Sequence, residues 1–167
     1  MIRSILLTIF AFISAFSFSC HAQQPTDSNF NLLFKYDVGA GDQLNTFNNT
    51  YTKDMVMDPP ITVGLKLTDE EKQKIYGKMI EIDFFNYPDE FAITVPPGQV
   101  VGIVTPSPSY YFHVEYDSRK KDLSWNDYIL NDDARADKLR ELIRLVEDIV
   151  ESKDEYKRLP PPSGGYE

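Results

Sequence analysis

Apolar side chains recur at every second position over residues 29–38. Phe30, Leu32, Phe34, Tyr36 and Val38 therefore share one face of an extended segment. Gly39, Ala40, Gly41 and Asp42 follow, residues that accept the positive φ of a tight turn. A second predicted strand carries Phe47 and Tyr51 on one face and Thr46, Asn48, Thr50 and Thr52 on the other, closing an antiparallel hairpin. After the Asp58-Pro59-Pro60 break, Ile61, Val63, Leu65 and Leu67 alternate with Thr62, Gly64 and Lys66 as a third strand.

At Thr68 the period changes from two to 3.6. Thr68-Asp69-Glu70-Glu71 has the form of a capping box, and Ile75, Met79 and Ile82, widened by Tyr76 and Ile80, give a helical stripe ending near Ile82. Phe84-Phe85-Asn86-Tyr87-Pro88 terminates it, because the residue before a proline is pushed out of the helical region, and the three aromatics are placed to fill the gap between helix and sheet. Residues 89–108 hold short β-branched runs between Pro96-Pro97-Gly98 and Pro106-Ser107-Pro108, a pattern of edge strands or a long loop.

Tyr110, Phe112, Val114 and Tyr116 form a further alternating strand, with Tyr111, His113 and Glu115 on its other face. A turn over 117–120 returns the chain into a strand bearing Leu123 and Trp125. Leu139, Leu142, Ile143, Val146, Ile149 and Val150 trace the strongest helical stripe, with Asp132 or Asp133 available as its cap. The architecture that buries every stripe is α+β: an antiparallel sheet with two helices packed on one face. Residues 30–158 form one domain, and the Pro/Gly-rich residues 159–167 an extended tail.

Composition adds a compartment. Arg3, an apolar run from Ile5 to Phe18 broken only by Thr8, Ser14 and Ser17, and then Ser19-Cys20-His21-Ala22 read as a secretory signal over residues 1–22. The run falls short of the roughly 20 residues a membrane-spanning helix needs. Small residues at Cys20 and Ala22 permit cleavage before Gln23, with residues 23–29 as a polar tether. The mature chain then has 145 residues, with sixteen basic against twenty-six acidic side chains, a net charge of −10. Such a surface repels phosphate backbones, so nucleic acid is excluded as a partner class. Cys20 is the single cysteine, so the mature domain folds without a disulfide.

Two resemblances bear on this reading. Phe16-Ser17-Phe18-Ser19-Cys20 resembles a bacterial lipoprotein signal, with Ser17 where leucine is usual, which implies acylation of Cys20 and a membrane anchor. From Ile61 to Val150, the capped helix, Asp83-Phe84-Phe85-Asn86-Tyr87-Pro88, the Tyr110 to Val114 strand, the hairpin and the leucine-striped helix follow the order seen in a group of uncharacterised bacterial exported proteins. The same stretch is similar to the emfourin type of small metalloprotease inhibitor, which implies a protein-binding role. The N-terminal hairpin and the proline-rich tail lie outside that pattern.

The chemistry-bearing residues are sparse. His113 is the one histidine of the mature chain, too few imidazoles for a zinc or iron site, so no metal and no cofactor are expected. Gly39-Ala40-Gly41 lacks the third glycine of a phosphate loop, and no Gly-x-Ser-x-Gly elbow occurs. Asp37 with Asp42, and Asp132 with Asp133, lack the spacing of a calcium loop. The expectation is a non-catalytic binding module of the bacterial cell envelope, extracytoplasmic and either released or anchored through Cys20. It would engage a protein through Tyr111, His113 and Glu115 on the sheet or through loops marked by Pro96, Pro97, Pro106 and Pro108. The alternative is a small carboxylate- or serine-dependent hydrolase, with Asp83 or Asp89 as cleft acids.

Overall fold

A computed structural model describes residues 29–166; the predicted leader and most of the tether, Cys20 included, lie outside the described residues. The chain forms β1 (Asn31–Tyr36), β2 (Asp42–Asn45), β3 (Thr50–Met55), β4 (Asp58–Gly64), α1 (Asp69–Glu81), β5 (Glu90–Phe91), β6 (Gly102–Ile103), β7 (Ser109–Tyr116), β8 (Arg119–Asn126), β9 (Ile129–Leu130), α2 (Ala134–Ser152) and the short α3 (Asp154–Lys157). Seven strands make one sheet in the order β4-β3-β2-β1-β7-β8-β5, and β6 pairs with β9 in a separate ribbon. The pairing is antiparallel except for β5 on β8.

The strand alternation read from the sequence becomes a buried face. Leu32, Phe34 and Tyr36 of β1, Leu44 of β2, Tyr51 of β3, Phe112 and Val114 of β7, and Leu123 and Trp125 of β8 point to the helices. In α2 the buried set is the predicted stripe with Ala136 added, and Asp133 is the cap, its carboxylate accepting from the amides of Arg135 and Ala136. Thr68 and Glu71 complete the reciprocal capping box of α1. Phe84 lies edge-on to Phe112 with ring centroids 5.3 Å apart, so the aromatic cluster after α1 does close the gap between helix and sheet.

Topology assigns the helices their side. The meander β1 to β4 runs to one edge of the sheet, while β5 pairs at the other, so α1 carries the chain across the buried face. Glu71 at the start of α1 pairs with Lys153 at the end of α2 at 2.5 Å, and Lys78 with Glu141 at 2.7 Å, which sets the two helices antiparallel.

Local turn chemistry moves several predicted positions. The single strand expected to hold both Phe47 and Tyr51 is two strands joined by a tight turn over 46–49. The Asn45 carboxamide accepts from the amides of Phe47 and Asn48, and Asn49 takes φ 52, so asparagine-driven turning overrides the alternation. Phe47 is consequently exposed at the tip. Asp37 at φ 70 ends β1 before Val38, which makes only an isolated bridge to Pro108. Ile80, expected to widen the α1 stripe, is exposed because Ile75 and Met79 already fill the contact with the sheet. β4 takes in Pro59 and Pro60, which an edge strand tolerates because one row of its amides has no sheet partner.

Candidate functional site

Tyr111, His113 and Glu115 stand together on the sheet face opposite the helices, and the cross-strand register gives each a neighbour. Tyr111 faces Ser124, His113 faces Asp122, and Glu115 faces Lys120 on β8. On β1 the partners are Lys35, Leu33 and Asn31 in turn. These side chains form one continuous chain of contacts. The Tyr111 hydroxyl donates to Asp122 Oδ1 at 2.7 Å, and His113 Nδ1 lies 2.8 Å from that same oxygen. His113 Nε2 lies 3.4 Å from Glu115 Oε1, and Glu115 pairs with Lys120. Phe47 at the β2–β3 turn sits 5.8 Å from the His113 ring.

Charge follows these contacts. The Tyr111 hydroxyl and then His113 hold the Asp122 carboxyl below its ordinary range, and Lys120 does the same for Glu115. The bond to Asp122 pushes the Tyr111 phenol up. Both imidazole nitrogens face carboxylates, whereas a triad histidine must turn one nitrogen toward its nucleophile. The arrangement is a hydrogen-bonded polar row flanked by Leu33 and Phe47.

The proline-bearing loops belong to other parts of the fold. Pro96 and Pro97 are exposed in the β5–β6 connection, in a turn closed by the Gln99 amide on the Pro96 carbonyl with Gly98 at φ 85. Pro106 and Pro108 precede β7, and the Pro108 carbonyl accepts from Asp127. Pro108, Val104 and Leu130 help line a cleft of about 540 Å³ beside the N-terminal part of α2. The guanidinium of Arg140 in that cleft is already committed: it forks Asp127 at 2.6 and 2.8 Å, reaches Asp137 at 2.8 Å and lies over the Trp125 ring. These bonds push its pKa up and leave it in place to hold the β8–β9 corner onto α2. Asp83 accepts from the Asn86 carboxamide at 2.7 Å, and Asp89 pairs with Lys121 at 2.5 Å, so both expected cleft acids are engaged in local structure.

A second polar centre, at the sheet end where β1 leads into β2, has no motif in the sequence. Tyr51 donates to Asp42 Oδ2 at 2.9 Å, so the 3.0 Å contact between the Tyr36 and Tyr51 hydroxyls has Tyr36 as donor. Asp42 Oδ1 also accepts the Asp54 amide at 2.6 Å. Burial pushes both phenols far up and raises the Asp42 carboxyl. Glu147 of α2 joins this acidic end, its carboxyl pushed up to about 7 by desolvation and then by Glu151, Asp37, Asp148 and Asp42. Tyr36 and Tyr51 look like ordinary core aromatics in the sequence. Asp42 stands opposite Tyr36 in the β1–β2 register, while Tyr51 faces Leu44, so the only sequence signal was an aspartate at the start of a strand otherwise facing the core.

Among the described residues, no cluster of three or more His, Cys, Asp and Glu is placed to hold a metal ion, and no helix is long and apolar enough to cross a membrane. No protein-family model, curated protein or solved structure matches this chain.

Proposed function

We propose that this protein is a non-catalytic binding module of the bacterial cell envelope that engages a protein partner through the sheet face carrying Leu33, Tyr111, His113 and Glu115. The observation supporting this reading is that row itself. Both long helices pack on the other face, and the open one presents aromatic and aliphatic side chains fixed among paired charges. Such a surface combines apolar area with preset hydrogen-bond directions at little cost in side-chain ordering. The apolar leader pattern of residues 1–22 supports a module outside the cytoplasm, released or lipid-anchored through Cys20.

Site-specific photocrosslinking in intact cells tests this. A photoreactive residue at Leu33 or Tyr111 is expected to give one discrete adduct, while the same probe at exposed Ile80 of α1 gives none. Adducts at Ile80 with none at Leu33 and Tyr111 would assign binding to the helical side instead. Mass spectrometry of the membrane fraction distinguishes an acylated Cys20 from a chain beginning at Gln23.

A further inference from the structure

Residues 160–166 fold back across the end of the sheet. The main chain of Ser163 pairs with the β3–β4 turn: its amide donates to the Met55 carbonyl at 3.1 Å, its carbonyl accepts from Met57 at 3.2 Å, and it forms a parallel bridge with Val56. Lys53 Nζ donates to the Pro160 carbonyl at 3.0 Å. Only two side chains add to this, the Ser163 hydroxyl on Asp58 at 2.6 Å and the Tyr166 hydroxyl on Asp54. Beneath the segment remains a cleft of about 310 Å³, with Asp37, Asp42, Asp54 and Tyr156 among its lining.

We propose that this groove is a docking site for an extended peptide of another protein, occupied in cis by residues 160–166. The site is at a different end of the sheet from the Tyr111 row and does not depend on the function proposed there. Three features carry it. First, the bonds from Lys53, Met55 and Met57 read main chain, so a segment extended up to the Ser163 position reproduces them, as in strand addition to a sheet edge. Glycine is required next, because Gly164 takes φ 88 and a Cβ there would lie 2.8 Å from Met57. Second, Asp58 and Asp54 each accept one side-chain donor, from residues three apart. They therefore select Ser or Thr followed three positions later by Tyr or a basic residue, and the acidic lining favours the basic one. Third, the present occupant is held weakly. Pro161, Pro162, Gly164 and Gly165 are exposed, and of these Gly164 lies against apolar side chains, those of Met57 and Val56 at the turn. The turn they cover holds the β-branched Val56 at φ 63, a conformation that persists only while its surroundings enforce it.

The test uses a fluorescein-labelled peptide with the sequence of residues 160–167, and the same peptide with Tyr166→Lys, read by fluorescence anisotropy. Three proteins are compared: the full chain, a chain ending at Leu159, and the full-length variant Ser163→Pro, which lacks the amide that Met55 accepts. A tethered occupant competes at an effective concentration near millimolar. Both opened chains are therefore expected to bind roughly tenfold or more tighter than the full chain. The Tyr166→Lys peptide should bind tighter still and lose affinity with salt, and Asp54→Ala in the opened chain should remove that preference. Equal binding to all three proteins, or none to a folded Ser163→Pro chain, overturns the proposal. So does a shortened chain that fails to fold alongside a Ser163→Pro chain that gains no binding, which would make the segment part of the core. Dimerisation of the full chain by tail exchange, absent from the chain ending at Leu159, would assign the groove to a second copy instead.

Discussion

Glu147 is a carboxylate that works against the fold at neutral pH. Desolvation on α2, with Glu151, Asp37, Asp148 and Asp42 nearby, pushes its pKa up to about 7 from an ordinary 4.5. A carboxyl whose folded pKa lies above its unfolded value adds no penalty below the unfolded pKa. The penalty grows as pH rises between the two values and is complete above the folded one. Glu147→Gln is therefore expected to raise the melting temperature at pH 8, with the gain fading to nothing by pH 4. The side chain is half-exposed, so solvent screening reduces the gain to about 1 kcal/mol. A gain of equal size at both pH values would show that ionisation is not its source. Nothing in the helical pattern marks Glu147, because Asp37 and Asp42 reach it only when the β1–β2 turn lies against α2.

Single helices here are specified by two separable signals, end chemistry and a buried stripe. The Thr68 hydroxyl oxygen closes α1 by accepting from the Glu71 amide at 3.2 Å, and the Thr68 amide donates back to the Glu71 carboxylate at 2.8 Å. Thr68→Ala is expected to cost about 1 kcal/mol by denaturant titration. Leu142, fully buried in the α2 stripe, is expected to cost about 2–5 kcal/mol as Leu142→Ala, because the packed core cannot collapse onto the void. Equal losses would mean that the stripe is not packed as described. These elements were legible because their signals are local: a cap, a period, a proline. The β2–β3 turn was misread because three asparagines close it without a glycine, and the alternation of Phe47 with Tyr51 continues through it unbroken.

At the scale of the whole molecule, the two faces of the sheet separate stability from recognition. Phe112→Ala, on the helix side with Phe34 and Phe84 against it, is expected to cost about 3–5 kcal/mol. The double variant Tyr111→Ala with His113→Ala, on the other side of the same strand, should stay within about 1 kcal/mol of the parent in thermal melts. It should nonetheless lose the adduct formed through Leu33. Comparable destabilisation by both changes would count against an open recognition face. The sequence alone determined most of the inward-facing set, a cap and a buried stripe for each long helix, and that an α+β sheet must receive them on one side, because alternation, helical period and capping act between residues close along the chain. Only the tertiary structure decided strand order, the union of Tyr36, Tyr51 and Asp42, the commitment of Arg140 to Asp127, and the return of residues 160–166 onto the β3–β4 turn. Each of these rests on contacts between different elements, whose geometry exists only once the sheet and helices have closed on one another.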